Sequence, residues 1–247
     1  MSRALAAELF KLRTTRTSWG VTLGPLALVV IISTIAALAG DFAPDDHESE
    51  LLEIAGLVQI FALVLGILIV ATEFRHGTIT PSLLAVPDRT RLVLAKLLAA
   101  LGAGALLGLL AGTLCAVIVL PVLSARDVDV IDSGTSEVLE LIAGNLAASA
   151  LFAAVGVGLG ALLRNQVGAI IGALGWIFLV EPLLGIIPGF DDVISKWFPS
   201  GAANATAGTA SSDDALGQVS AGLLLAAYAA AFVAAGIVIV RRRDVSA

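Results

Sequence analysis

The sequence predicts an all-α integral membrane protein with six transmembrane helices, on three observations. First, 58% of the 247 residues are apolar and 14% are charged, and the mean hydropathy of +1.00 lies outside the range of soluble chains. Second, the charges are confined to segments separating six uncharged runs, 17–40, 54–72, 97–125, 141–163, 165–180 and 215–240. A helix rising about 1.5 Å per residue crosses a hydrocarbon core of about 30 Å in about 20 residues. Five runs meet or approach that length, and the fifth, with 16 residues, falls short.

Third, the two signs of charge are segregated beneath a net charge of −6. The amino-terminal segment, the 73–96 segment, Arg164 and Arg241 to Arg243 hold twelve of the 14 cations against four acids, Glu8, Glu73, Asp88 and Asp244. The alternate segments hold the other sixteen acids with only Arg126 and Lys196. Cytoplasmic loops collect Lys and Arg, so both termini are expected inside. An even number of spans follows, which counts the short fifth run, and a cytoplasmic (plasma) membrane is the expected location. The first run is longer than the core of a signal peptide, so it is expected to be retained.

In chain order, residues 1–18 predict a helix in the interface plane, with Leu5, Leu9 and Leu12 on one side and Glu8, Lys11 and Thr15 on the other. Trp19 is expected at headgroup level. The spans are expected at about 19–40, 54–72, 93–120, 141–163, 165–181 and 216–240, within a single transmembrane domain covering 1–247. Gly104, Gly108 and Gly112, then Gly156 and Gly160, then Gly168 and Gly172 form stripes that let helix backbones approach in lipid. Arg164, Asn165 and Gln166 predict a tight hairpin between the fourth and fifth spans. Residues 182–212, broken by Pro182, Pro188 and Pro199, predict short re-entrant or interfacial helices on the outer side.

The residues limit the chemistry. A single cysteine, Cys115, excludes an intrachain disulfide, and His47 and His76 lie in different segments with no metal-ligand spacing around them. None of the three lysines ends a phosphate-binding loop, so ATP hydrolysis by this chain is not expected. No catalytic or metal site and no nucleic-acid partner is expected. The uncharged runs contain no Asp, Glu, His, Lys or Arg, which argues against a proton-coupled carrier. Gln59 and Asn145 read first as interhelical hydrogen-bonding residues and second as part of a substrate pathway.

The stretch 73–89 carries the most information. Gly77 breaks the second span's helix, Thr78 suits an N-cap, Pro81 falls in a first turn, and Pro87 ends a short helix at about 78–86. Ile79, Leu83 and Val86 share a face, expected to project as an apolar ridge on a basic surface and to seek a groove.

Here the sequence resembles the permeases of the type-2 exporter family of ATP-binding cassette (ABC) transporters. The second span ends in Glu73, followed by Gly77-Thr78, Leu83-Leu84, Pro87 and Arg89. The likeness extends to Glu8-Leu9-Phe10-Lys11-Leu12-Arg13 before the first span, to Leu163-Arg164-Asn165-Gln166, and to the broken segment before the sixth. The resemblance implies that 78–86 is a coupling helix docking on a separate ATPase subunit. Glu73, Arg75, Gly77, Thr78, Ile79, Leu83, Leu84, Val86 and Arg89 are the candidate coupling residues. It implies a half-transporter working with a second permease copy or homologue among membrane lipids, with ATP and Mg held by the partner. A permease-like subunit that transmits ATPase motion without moving a solute is the alternative, and a membrane-embedded enzyme a more distant one.

Overall fold

The computed structural model of the chain describes residues 2–39, 54–125, 135–210 and 215–242. The segments expected to carry much of the acidic charge, 40–53 and 126–134, lie outside the described residues, as do 211–214 and the carboxy-terminal 243–247. Among the described residues every regular element is helical. In order these are α1 (Ser2–Thr14), α2 (Arg16–Ala39), a 3-10 turn (Ile54–Gly56) leading into α3 (Leu57–Arg75), and α4 (Ile79–Ala85). They continue with α5 (Arg89–Ala125), α6 (Thr135–Leu163) and α7 (Gln166–Gly175). A π turn (Trp176–Val180) carries α7 into α8 (Glu181–Gly185), followed by α9 (Asp191–Trp197), α10 (Pro199–Ala207) and α11 (Gln218–Arg242).

Six helices are long and apolar enough to cross a membrane, and the protein is multi-pass. They are α2, α3 with its leading turn, α5, α6, the α7–α8 pair and α11. The fifth does not stop where its uncharged run stops. It continues through Glu181 and Pro182 to Gly185, giving 20 residues. Pro182 follows directly on the π turn, in which the Glu181 N–H bonds back to Trp176 O.

The centre of the bundle is α6, which packs on α3, α5 and α11. Apolar burial does not distinguish a neighbouring helix from a lipid tail, so close backbone approach must hold these helices together. Glycines provide it. A Cβ on Gly66 would run into the carbonyl of Ala153, and one on Gly156 into the carbonyl of Leu63, so α3 and α6 touch backbone to backbone. On α5, a Cβ at Gly104 would lie 2.6 Å from Ser149 O and one at Gly108 2.5 Å from Asn145 O. The stripes of the third and fourth spans are therefore packing faces within the chain. The fifth is different: Gly172 has nothing within 4 Å, and Gly168 meets only the cap residue Asn165.

At one end of the bundle, two arginines from separate connections close α11. Arg89 Nη1 donates to Val240 O at 2.7 Å and Arg164 Nη2 to Ile239 O at 2.8 Å. Both place positive charge on the last carbonyls of a helix, which have no intrahelical donor and carry the negative end of its dipole. Arg164 itself sits at φ +52, turning the chain between α6 and α7, and its guanidinium lies 5.3 Å from the Phe74 ring centre. Asn165 caps α7 by accepting the Gly168 N–H at 3.0 Å, so the expected hairpin is present.

At the opposite end Asn145 joins three helices. Its amide donates to Ala55 O at 3.2 Å and Gly108 O at 3.0 Å, and its Oδ1 accepts from Gln59 Nε2 at 3.4 Å. The segment expected to form short helices does so. In α10, Ala202, Ala203, Ala205, Thr206 and Ala207 are buried against α6 and α11. Glu181 is buried and accepts the Ser200 hydroxyl, while the Tyr228 hydroxyl donates to Trp197 O at 2.7 Å.

Candidate functional site

The short helix expected at 78–86 is found as α4, Ile79–Ala85. Gly77 at φ +67 ends α3, a conformation that strains a side-chain-bearing residue, and turns the chain toward α4. Thr78 occupies the N-cap position but makes no side-chain cap. Its carbonyl instead accepts the Ser82 N–H at 3.3 Å and the Ser82 hydroxyl at 3.0 Å. Past Pro87, Asp88 caps α5, its Oδ1 accepting the N–H groups of Thr90 at 3.0 Å and Arg91 at 3.2 Å. Three residues separate α3 from α4, and three separate α4 from α5. A push on α4 therefore reaches both spans through very short connections.

The exposed face of α4 is not the expected one. Ile79 is 4% exposed, and Leu83 and Val86 are half-buried, so the anticipated ridge faces the protein's own bundle. Leu84, at 79% exposure, projects from the opposite side. A two-turn helix with apolar residues on both sides can bury either one, and the bundle takes Ile79.

Around the end of α3 lies a cluster that crosses three elements. Lys11 Nζ is 2.6 Å from Glu73 Oε1 and 2.9 Å from Glu8 Oε1. Lys96 Nζ is 2.8 Å from Glu73 Oε1 and 3.1 Å from Glu8 Oε2, and also donates to Ile69 O at 3.1 Å. Glu8, Glu73 and Lys96 are all buried, Lys96 to 1% exposure. The four formal charges cancel, and paired, hydrogen-bonded charges are the form in which burial is tolerated. Burial works against the charged form of Lys11. The hydrogen bonds and charges of Glu73 and Glu8 outweigh it and hold the pKa above the usual lysine value.

This cluster corrects two expectations. Glu8 was expected on the side of α1 away from Leu5, Leu9 and Leu12, yet Glu8 is buried beside half-buried Leu5 and Leu12 while Leu9 is exposed. A carboxylate in an amphipathic helix marks the wet side unless a cation waits within the protein, and Lys96 is that cation. Lys96 itself was counted with the loop charges and belongs to α5, two turns beyond Arg89. The spans are thus not devoid of ionisable groups: the helices outrun the uncharged runs and take in Glu73, Lys96 and Glu181. The available signal was that Glu73 and Lys96 directly flank apolar runs, while Glu8 and Lys11 stand three apart on α1.

The other candidates are dispersed. Arg75 Nη1 donates to Gln166 Oε1 at 3.4 Å, and Arg89 reaches α11. Gln59 and Asn145 lie at the far end of the bundle, bonded to each other. No protein-family model matches the chain, and no curated protein matches it in sequence.

Proposed function

We propose that the chain is the permease subunit of an ABC exporter, paired with a second copy or homologue and driven by a separate ATPase that holds ATP and Mg. One observation supports this most. A short helix strung between two spans by three-residue connections presents an exposed Leu84, while the spans beside it are clamped by buried ion pairs. Such a device passes external motion to the bundle as a rigid body. In this reading α4 and both termini are cytoplasmic in a plasma membrane, Glu73 holds the α3 base of the coupling unit, and Leu84 leads its contact with the ATPase.

A subunit that only relays motion would use the same device. The transport reading is favoured by a cavity of about 250 Å³ at the opposite end, bordered by Gln59, Ser200, Asn204 and Thr209, with Phe152 and Ile177 as apolar walls. Gln59 therefore remains on the proposed pathway, whereas the Asn145 side chain is occupied by Ala55, Gly108 and Gln59.

The test is isolation of the tagged chain from its native membrane. The wild type should bring down a protein bearing Walker motifs. Leu84→Asp should lose it while remaining monodisperse, because an unpaired carboxylate opposes burial in an apolar contact. Failure of the wild type to retain any ATPase would overturn the proposal.

A further inference from the structure

Beside the ion cluster lies an open cavity of about 520 Å³ bordered chiefly by α1, α3 and α4, with Thr17 and Ser18 of α2 and Leu92 of α5 also lining it. Its walls divide by chemistry. One part is apolar and runs along α3 through Leu65, Leu68 and Ile69. The other is polar and includes Glu73, Glu8 and Lys11. Leu65 precedes Glu73 by eight residues, so the apolar wall extends about 12 Å along the span from the charged end. That is the layout of an amphiphile: a chain laid along a helix inside the bilayer, with a headgroup at the interface.

The charged end is more specific. Lys11 is half exposed, so its ammonium can meet an additional anion without leaving its carboxylates. Glu73 is buried, with both cations on Oε1, and its Oε2 has no hydrogen-bond partner among the described residues. A buried carboxylate oxygen without a donor is costly, and a ligand N–H would satisfy it. Glu73 and Lys11 both line the cavity, so a carboxylate and a cation stand side by side at the end of an apolar groove. The complementary headgroup carries an N–H-bearing cation next to an anion.

We propose that this cavity binds one phospholipid with a primary-amine headgroup, phosphatidylethanolamine in chemical class. Its ammonium donates to Glu73, its phosphate meets Lys11, and one acyl chain lies along Leu65, Leu68 and Ile69. Phosphatidylcholine lacks an N–H donor, and phosphatidylglycerol lacks the cation. The inference requires only that the chain lies in a membrane and is independent of the transport reading.

The experiment is native mass spectrometry of the full-length chain in detergent, titrated separately with phosphatidylethanolamine, phosphatidylcholine and phosphatidylglycerol of identical acyl chains. Phosphatidylethanolamine should add one retained copy, with an affinity about tenfold above the other two, the order expected for one charge-assisted hydrogen bond. Glu73→Gln should erase the preference. Leu68→Trp, which fills the groove from a half-buried position away from the ion pairs, should lower retention of all three lipids. Ile171→Trp, on an exposed face of α7, should change nothing. Equal retention of the three lipids by the wild type would overturn the headgroup assignment. Unchanged binding by a folded Leu68→Trp protein would overturn the site itself.

Discussion

Lys96 Nζ lies 2.8 Å from Glu73 Oε1, so a cation two turns inside α5 is paired with a carboxylate in the last turn of α3. Around that pair, α1 is pinned by Glu8 and Lys11, and the connection carrying α4 is held at both ends.

The cluster should behave as a unit. Lys96→Met leaves Glu8 and Glu73 buried with only half-exposed Lys11 to pair them, and losing one partner of a buried pair costs about 3–5 kcal/mol. Adding Glu73→Gln removes one stranded charge and should recover part of the loss. A double-mutant cycle on unfolding in detergent measures this, and strictly additive losses would show that the residues do not interact.

Lys11 sets a pH dependence. Its pKa in the folded protein is raised above 10.5, so the native state holds that proton more tightly than the unfolded chain does. The stabilisation is fully present below the unfolded pKa, and it is lost as pH rises through the higher folded value. Thermal unfolding between pH 8 and 11.5 should show a decline above about pH 10.5 that is smaller in Lys11→Gln. Identical alkaline profiles for both proteins would contradict this origin.

Glycine replacements should separate by place rather than by residue type. Gly156→Ala drives a methyl group into the Leu63 carbonyl, where overpacking costs about 1–3 kcal/mol or more. Gly172→Ala meets nothing within 4 Å and removes a helix-weakening glycine, so its effect should be zero or slightly favourable. Comparable destabilisation by both would place a helix against Gly172 in the assembled protein.

The proposed orientation can be read by labelling. Single cysteines at Glu50, Arg89, Asp132, Asn204 and Ser246, in a background with Cys115 replaced, should react from outside only at Glu50, Asp132 and Asn204. External labelling at Arg89 in intact cells would invert the assignment.

Much of this architecture was legible because lipid imposes simple rules. Uninterrupted apolar length located the spans, and Gly104, Gly108 and Gly156 announced the close contacts later found between helices. Gly77, Pro81 and Pro87 bounded α4 to within a residue or so at each end. The charge cluster was not legible, because Glu8, Glu73 and Lys96 come from three separate elements and each reads as a water-facing residue near a span end. Their mutual satisfaction is a tertiary fact. The orientation of α4 failed for a related reason: Ile79 and Leu84 are equally apolar, and only the neighbouring bundle decides which is covered.

The π turn at Trp176–Val180 has a consequence for the rest of the fifth span. At about 100° per residue, an unbroken α-helix would set Glu181 about 120° around the axis from Ala169, rotated toward lipid. A π turn absorbs one surplus residue. With it, Glu181 falls about 20° from Ala169, in keeping with the burial of both residues. The same shift brings exposed Ile186 back in phase with exposed Val167. The turn thus works as a phase corrector, letting one helix keep a single lipid-facing stripe while delivering a carboxylate to Ser200. Deleting one of residues 176–180 should remove the surplus and keep that phase in an unbroken α-helix, whereas inserting one more residue there would rotate all that follows by about 100° and swing Glu181 away from Ser200.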